Sequence, residues 1–181
     1  MPQTIVMLCE KRPWPPTALP NHIYEVKYDG IRILGKKQDG AVKLVGRSGE
    51  DYTPKFPEVV EDLRKYTIDF IPDGELCSKS GDFRSLAGRV HLKDPFKISL
   101  RARIDPGVYH IFDVLGMNGQ IIASQPLRER KRVLSQLGEM EHVKIVMPEP
   151  LEELVKRVDA QELEGIVAKN LDSPYELRRS W

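Results

Sequence analysis

Several short stretches place charged side chains inside runs that otherwise read as buried β-strands. Residues 24–34, YEVKYDGIRIL, carry Glu25, Lys27, Asp29 and Arg32. PDGEL holds Asp73 and Glu75, and HIFDVL holds Asp113. LEGIVAK has Glu164 before an apolar triplet and Lys169 after it. Alternate residues of an extended strand share a face, so Tyr24, Val26 and Tyr28 go to one side and Glu25, Lys27 and Asp29 to the other. A half-exposed strand with an outward salt-bridge ladder fits the first stretch taken alone. The recurrence favours a sheet lining a polar cleft, because burying such charges unpaired costs on the order of several kcal/mol each. Carboxylates without a histidine cluster suit a hard, oxygen-seeking cation such as Mg²⁺. Lysine and arginine beside them suit phosphates. Together they indicate a nucleotide with its magnesium.

The elements that must position these groups follow from turn chemistry and periodicity. Ile23 to Lys37 reads as strands punctuated at Asp29–Gly30, and Asp39–Gly40 is a hairpin signal before the returning strand Ala41 to Val45. Phe56, Val59, Val60 and Leu63 recur at helical spacing, with Thr53 as the expected cap and Pro54 in the first turn. IDFIPDGEL is strand-like, DFRSLAGRV a short helix, and VYHIFDVL a strongly β-favouring run that turns at Asn118–Gly119 towards QIIAS. A helix is expected to start at Ser124 to Pro126 and to align Leu127, Leu134 and Leu137. VKIVM reads as a strand, PLEELVKRVDAQ as an amphipathic helix and EGIVAKN as a strand. Pro2 to Pro20 reads as an irregular arm. The whole is α+β, with mainly antiparallel sheets and flanking helices, in one domain over residues 1–181.

Composition narrows the function classes. The 181 residues are 40% hydrophobic and 30% charged, as in an ordinary globular protein. No run has the length of a membrane-spanning helix, and Glu10, Lys11 and Arg12 interrupt the place of a signal peptide, so no membrane role and a cytoplasmic location are expected. Net charge is +1, so any polyanion must meet a local basic patch. Candidates are Arg101 with Arg103, the run Arg128, Arg130, Lys131 and Arg132, and Arg178 with Arg179. The second of these also reads as the polar face of an amphipathic helix. Cys9 and Cys77 form no metal-binding spacing and are expected to be reduced and part-buried. The four histidines are scattered, and His110 reads as structural. GIRILGKK nearly matches a phosphate-cradling P-loop, but it lacks the Ser/Thr and lies in strand-like sequence, which excludes that reading.

With these residues in view, the chain resembles a known family. KYDGIR fits the KxDGxR signature of covalent nucleotidyltransferases, which comprise ATP-dependent DNA ligases, RNA ligases and mRNA-capping guanylyltransferases. GRSGEDYT looks like the family's Arg-Gly element, PDGEL like its DGE element, YHIFDVL like its aromatic-Asp element, and EGIVAK like its EGxxxK element, in that order. SPYELRRSW resembles the approach to the last element, where a tryptophan leads into two lysines. FDVL, EGIVAKN and SPY...RRSW are most similar to DNA ligases of the bacterial and archaeal end-joining type.

The resemblance implies an ATP-grasp-like nucleotidyltransferase fold and a lysyl-adenylate formed at Lys27. It makes Glu25, Lys27, Arg32, Arg47, Glu75, Phe112, Glu164 and Lys169 the expected ATP-binding residues. Glu25 would lie against the adenine edge, Phe112 would stack on the ring, and Glu75 and Glu164 would hold Mg²⁺ or Mn²⁺. A free lysine has a pKa of about 10.4, so only on the order of one in a thousand is neutral at pH 7. Nearby cations and bound metal must oppose the neighbouring carboxylates. The implied partner is nicked or broken double-stranded DNA in repair, recombination or replication. Other expectations within the same resemblance are an RNA ligase or capping enzyme, or a non-catalytic nucleotide- or DNA-binding module. The chain departs from the family pattern after Trp181, where the two lysines and an OB-type barrel would follow. ATP binding, slow self-adenylation and weak sealing alone are therefore expected, with an OB-type domain or a repair protein as a candidate partner.

Overall fold

Alternating apolar residues and glycine-bearing turns build most of this chain. The computed structural model describes residues 6–176 and the backbone of 179–180. After β1 (Leu8–Cys9), the strand β2 (His22–Lys27) leads into the hairpin of β3 (Ile31–Gln38) and β4 (Ala41–Gly46). The hairpin closes at Asp39 and Gly40, both at positive φ (50° and 75°), as a two-residue turn of the Asp-Gly kind requires. A 3₁₀ turn at Thr53–Lys55 precedes α1 (Pro57–Arg64). Then come β5 (Phe70–Ser78), α2 (Phe83–Val90) and α3 (Pro95–Ile104). The long strand β6 (Gly107–Met117) turns at Asn118–Gly119, again at positive φ (48° and 80°), into β7 (Gln120–Ile121). The chain continues through α4 (Leu127–Leu134), β8 (Val143–Ile145), α5 (Leu151–Asp159), β9 (Gly165–Asn170) and β10 (Arg179–Ser180).

A six-stranded sheet runs in the order β4-β3-β5-β6-β7, and β8 pairs in parallel with β6 beside β7. The pairs along the main path are antiparallel. A separate antiparallel pair joins β2 to β9, with Lys27 opposite Gly165 and Ile23 opposite Lys169. β1 pairs in parallel with β10. The expected α+β architecture with mainly antiparallel sheets is therefore present.

The main core lies against the six-stranded sheet. Ile33, Leu44, Leu76, Tyr109 and Ile111 meet Phe56, Val59, Leu63 and Leu134 there. A smaller core of Tyr24, Val26 and Leu154 packs α5 against the β2–β9 pair. Side chains of this size contribute about 1.5–3 kcal/mol each when fully buried, so both cores hold their sheets firmly. The expected P-loop exclusion agrees with the structure, since residues 31–38 are strand throughout.

Some local expectations are corrected. Thr53 does not cap α1: its hydroxyl accepts from the Leu44 N–H (2.9 Å), and α1 starts at Pro57 without a side-chain cap. α4 also starts without one, after Pro126. α3 was not read from the sequence, although Asp94 caps it by accepting from Phe96 N–H (2.9 Å) and Pro95 stands in its first turn. Its weak apolar periodicity hid it. Cys77 is buried but Cys9 is exposed. Arg178 and Trp181 lie outside the described residues, and Arg179 is described only by its backbone.

Candidate active site

The sequence presents Lys27 at the end of β2, where the Gly165 partner strand begins. The next residue back along the chain from Gly165 is Glu164, so antiparallel register brings its carboxylate to Lys27, and the two form an ion pair. The Lys27 side chain is 48% exposed and therefore accessible to a ligand. Glu25, two residues earlier, is 1% exposed. It does not join an outward ladder. One carboxylate oxygen accepts from Lys169 Nζ (2.6 Å), and the other is ion-paired with Lys131 of α4. Burial alone would discourage ionisation, but the ammonium groups of Lys169 and Lys131 outweigh it and hold the Glu25 carboxyl below its ordinary range.

The six-stranded sheet supplies the other side. Arg32 stands opposite Glu75 in the β3–β5 register, yet its guanidinium reaches diagonally to Asp73, with Nε–Oδ1 2.6 Å and Nη2–Oδ2 2.7 Å. Such a bidentate fork fixes the arginine plane. Asp73 also accepts from Tyr175 Oη (2.6 Å), while Met7 N–H donates to that same hydroxyl (3.1 Å). Glu75 has no such guanidinium fork. Burial, reinforced by the Asp73 and Glu164 charges against those of Arg32 and Lys27, pushes its carboxyl up to about 7.

Phe112 joins the two sheets. The Arg32 Cζ and the Lys169 Nζ each lie 4.4 Å from its ring centroid. These are cation–π contacts on an aromatic side chain that is only half-buried. Nearby, Tyr28 stacks on His110 with ring centroids 4.0 Å apart. Burial draws the His110 imidazole down to about 4, which favours its neutral form.

Glycines permit these close approaches. A methyl group on Gly30 would sit 2.3 Å from Leu76 O, and one on Gly74 would sit 2.4 Å from His110 O. Gly30 thus lets the chain after Lys27 press against β5, and Gly74 lets β5 lie close on β6.

The structure brings together Glu25, Lys27, Arg32, Glu75, Phe112, Glu164 and Lys169. Arg47 lies in the exposed turn after Gly46, and the pairing of Gly46 with Ile33 sets that turn at the Arg32 end of β3. It makes no ion pair among the described residues. Asp73 and Asp113 are not open cleft-lining carboxylates. They are register partners on β5 and β6, and each is buried under its own arginine. Arg130 grips Asp113 through Nε–Oδ1 (2.9 Å) and Nη2–Oδ2 (3.0 Å).

The run Arg128 to Arg132 therefore divides, contrary to both sequence readings of it as one exposed patch or polar face. Arg128 and Arg132 are exposed, whereas Arg130 and Lys131 are 1% and 6% exposed. Lys131 also donates to Val146 O (3.0 Å). Burial, reinforced by Lys169 against the opposing charge of Glu25, pulls its ammonium down to about 8. Sequence reasoning missed this lysine because adjacent exposed and buried cations look alike in a charge run. Leu127 and Leu134 carry the only local signal, since they fix which side of α4 turns inward.

Comparison with known proteins agrees with this architecture. Residues 7–181 match the family model described as the ATP dependent DNA ligase domain. The SPbeta prophage-derived DNA ligase-like protein LigB of Bacillus subtilis is 36% identical over 169 residues, covering 88% of this chain and 58% of the relative. A probable DNA ligase of Dictyoglomus turgidum is 32% identical over 164 residues, covering 84% of this chain and 28% of that protein. The chain thus spans a little over half of the first relative and under a third of the second. Among solved structures, a mycobacterial DNA ligase D complexed with ATP and MES shares the fold with a TM-score of 0.72 at 23% identity, over 98% of this chain and 57% of that one. The chain belongs to the ATP dependent DNA ligase domain family.

Proposed function

We propose that this chain carries the adenylation chemistry of a DNA ligase, with Lys27 as the nucleophile. The observation that carries the reading is the convergence of Lys27, Glu164, Glu25 and Lys169 on one strand pair, beside Arg32, Glu75 and Phe112 of the larger sheet. The neutral Lys27 amine attacks the α-phosphorus of ATP. A P–N bond forms, the bond to the bridging oxygen breaks, pyrophosphate leaves with that electron pair, and the nitrogen releases one proton. Glu164 accepts a hydrogen bond from the amine and orients it before attack. Arg32 and Lys169 supply positive charge for phosphate oxygens or the ribose, and Arg47 contributes from its turn. Phe112 offers its ring to adenine, and Glu25 faces the edge of the base. In the two later steps a DNA 5′-phosphate takes AMP from Lys27 as the P–N bond breaks, and a 3′-hydroxyl then attacks that 5′-phosphate and expels AMP.

A divalent cation fits the donor set. Glu75 is a half-buried carboxyl near the Glu164 and Lys27 charges, and Mg²⁺ commonly takes one or two carboxylates plus substrate phosphates. Glu75 and Glu164 would hold Mg²⁺ or Mn²⁺, and the ion would supply charge against the phosphate oxygens. No helix among the described residues is long and apolar enough to cross a membrane.

Intact mass measurement after incubation with ATP and Mg²⁺ tests the reading. A covalent AMP adduct is expected, absent in Lys27→Ala. ATP binding without any adduct would favour a non-catalytic nucleotide module instead. An adduct formed from GTP rather than ATP would favour capping-type chemistry. Sealing of nicked RNA in preference to nicked DNA would favour an RNA ligase.

A further inference from the structure

We propose that Lys131 is a positioning residue for Glu25, and that through it α4 sets the preference of the nucleotide site for a base edge bearing an amino donor. The inference rests on the reading of the Lys27 site as a nucleotide site and adds a residue outside the motifs that define it.

Glu25 has two cationic partners of different kinds. Lys169 is partly exposed and shared with the face of Phe112, 4.4 Å from the ring centroid. A base stacked on Phe112 competes with Lys169 and Arg32 for that ring, and incoming phosphates draw both cations towards themselves. The Glu25 oxygen bonded to Lys169 then becomes available. Lys131 has no comparable route outward. It is buried, its ammonium is held by the other Glu25 oxygen and by Val146 O, and its helix is locked to β6 by the adjacent Arg130–Asp113 fork. Lys131 therefore remains with Glu25 after Lys169 has moved.

The consequence concerns the base. With Lys131 retained, Glu25 stays ionised and can only accept hydrogen bonds. An acceptor-only group favours an amino N–H on the base edge and disfavours a carbonyl oxygen in the same place, where two acceptors would face each other unpaired. Without Lys131 the carboxyl loses both the charge that keeps it ionised and the contact that aims it.

The test uses the full chain. ATP and GTP affinities are measured calorimetrically in EDTA, and AMP-adduct formation is followed separately with Mg²⁺ at varied ATP. Lys131→Met is expected to weaken ATP binding about tenfold. The ATP-over-GTP preference should shrink by a similar factor, with GTP affinity nearly unchanged. The apparent KM for ATP should rise more than the adduct rate at saturation falls. Lys131→Gln, whose amide can still donate to Val146 O, serves as a second variant if Lys131→Met folds poorly. Adding Lys131→Met to Glu25→Gln should change the base preference no further, because the lysine then has no carboxylate to aim.

A folded Lys131 variant with the wild-type ATP-over-GTP preference overturns the proposal, even if Lys27 forms its adduct normally. A wild-type chain that prefers ATP but forms no adduct overturns the catalytic reading alone, and the binding ratios still decide the role of Lys131. Equal binding of both nucleotides by the wild type overturns the role of Lys131 and leaves the catalytic reading to the adduct measurement.

Discussion

Lys27 and Glu164 lie 137 positions apart in the chain and meet as an ion pair. Their meeting follows from the β2–β9 register, which sets Lys27 opposite Gly165 and leaves Glu164 one residue before the strand. A one-residue slip would turn Lys27 to the other face of the pair, where Tyr24, Val26 and Leu154 form a core. Burial of that core therefore enforces the register on which the ion pair depends.

Lys27 is half-exposed and anchors no core, so its removal should silence chemistry without unfolding the chain. Lys27→Ala is expected to give no AMP adduct by intact mass, with a change in unfolding free energy within about 0.5 kcal/mol. Lys27→Arg should be equally inactive, since a guanidinium stays protonated and cannot supply a neutral amine. An adduct in either variant would place the nucleophile elsewhere.

Glu75 predicts a pH dependence of defined sign. Its folded pKa of about 7 lies above the ordinary 4.5 because of burial, so the folded chain binds this proton more tightly than the unfolded chain. Stability without nucleotide should therefore fall as pH rises from about 4.5 to 7. Glu75→Gln should remove that fall, giving a gain on the order of 2–3 kcal/mol near pH 8 and little change near pH 4. Urea denaturation at the two pH values reads this directly. Equal stability differences at both would contradict the assignment. The same substitution should weaken the Mg²⁺ dependence of adduct formation.

Arg130 and Arg128 are two residues apart, and their removal should differ sharply in cost. Arg130→Met leaves Asp113 buried and uncompensated and is expected to cost about 3–5 kcal/mol of stability. Arg128 pairs with Asp172 at an exposed site, and Arg128→Ala should cost at most about 1 kcal/mol. Thermal or denaturant unfolding of both variants checks the contrast. Similar small losses would mean that Arg130 is solvated.

Arg101 and Arg103 are exposed on the last turn of α3 and remain a candidate DNA-backbone contact. The double variant Arg101→Ala/Arg103→Ala should weaken duplex binding uniformly across sequences and reduce the slope of log affinity against log salt by about 1–2. An unchanged slope in a fluorescence-anisotropy salt titration would remove this patch from the DNA interface.

Much of the fold was legible locally. Asp39–Gly40 and Asn118–Gly119 declared their turns because few residue pairs tolerate two successive positive φ angles. The alternation in YEVKY separated a burying face from a charged one, and the repeated charge-bearing strands pointed to one shared site. Those features reside in backbone preference and residue type, which the sequence determines by itself. Tertiary structure decided how the charges pair. Asp73 received Arg32, Asp113 received Arg130, and Glu25 became a buried carboxylate between Lys169 and Lys131. Neighbouring positions in a charge run have the same chemistry until strand order and helix docking bury some of them. A charge removed from water must then find its counterion or lose its ionised form, which is why the role of Lys131 became visible only in the fold.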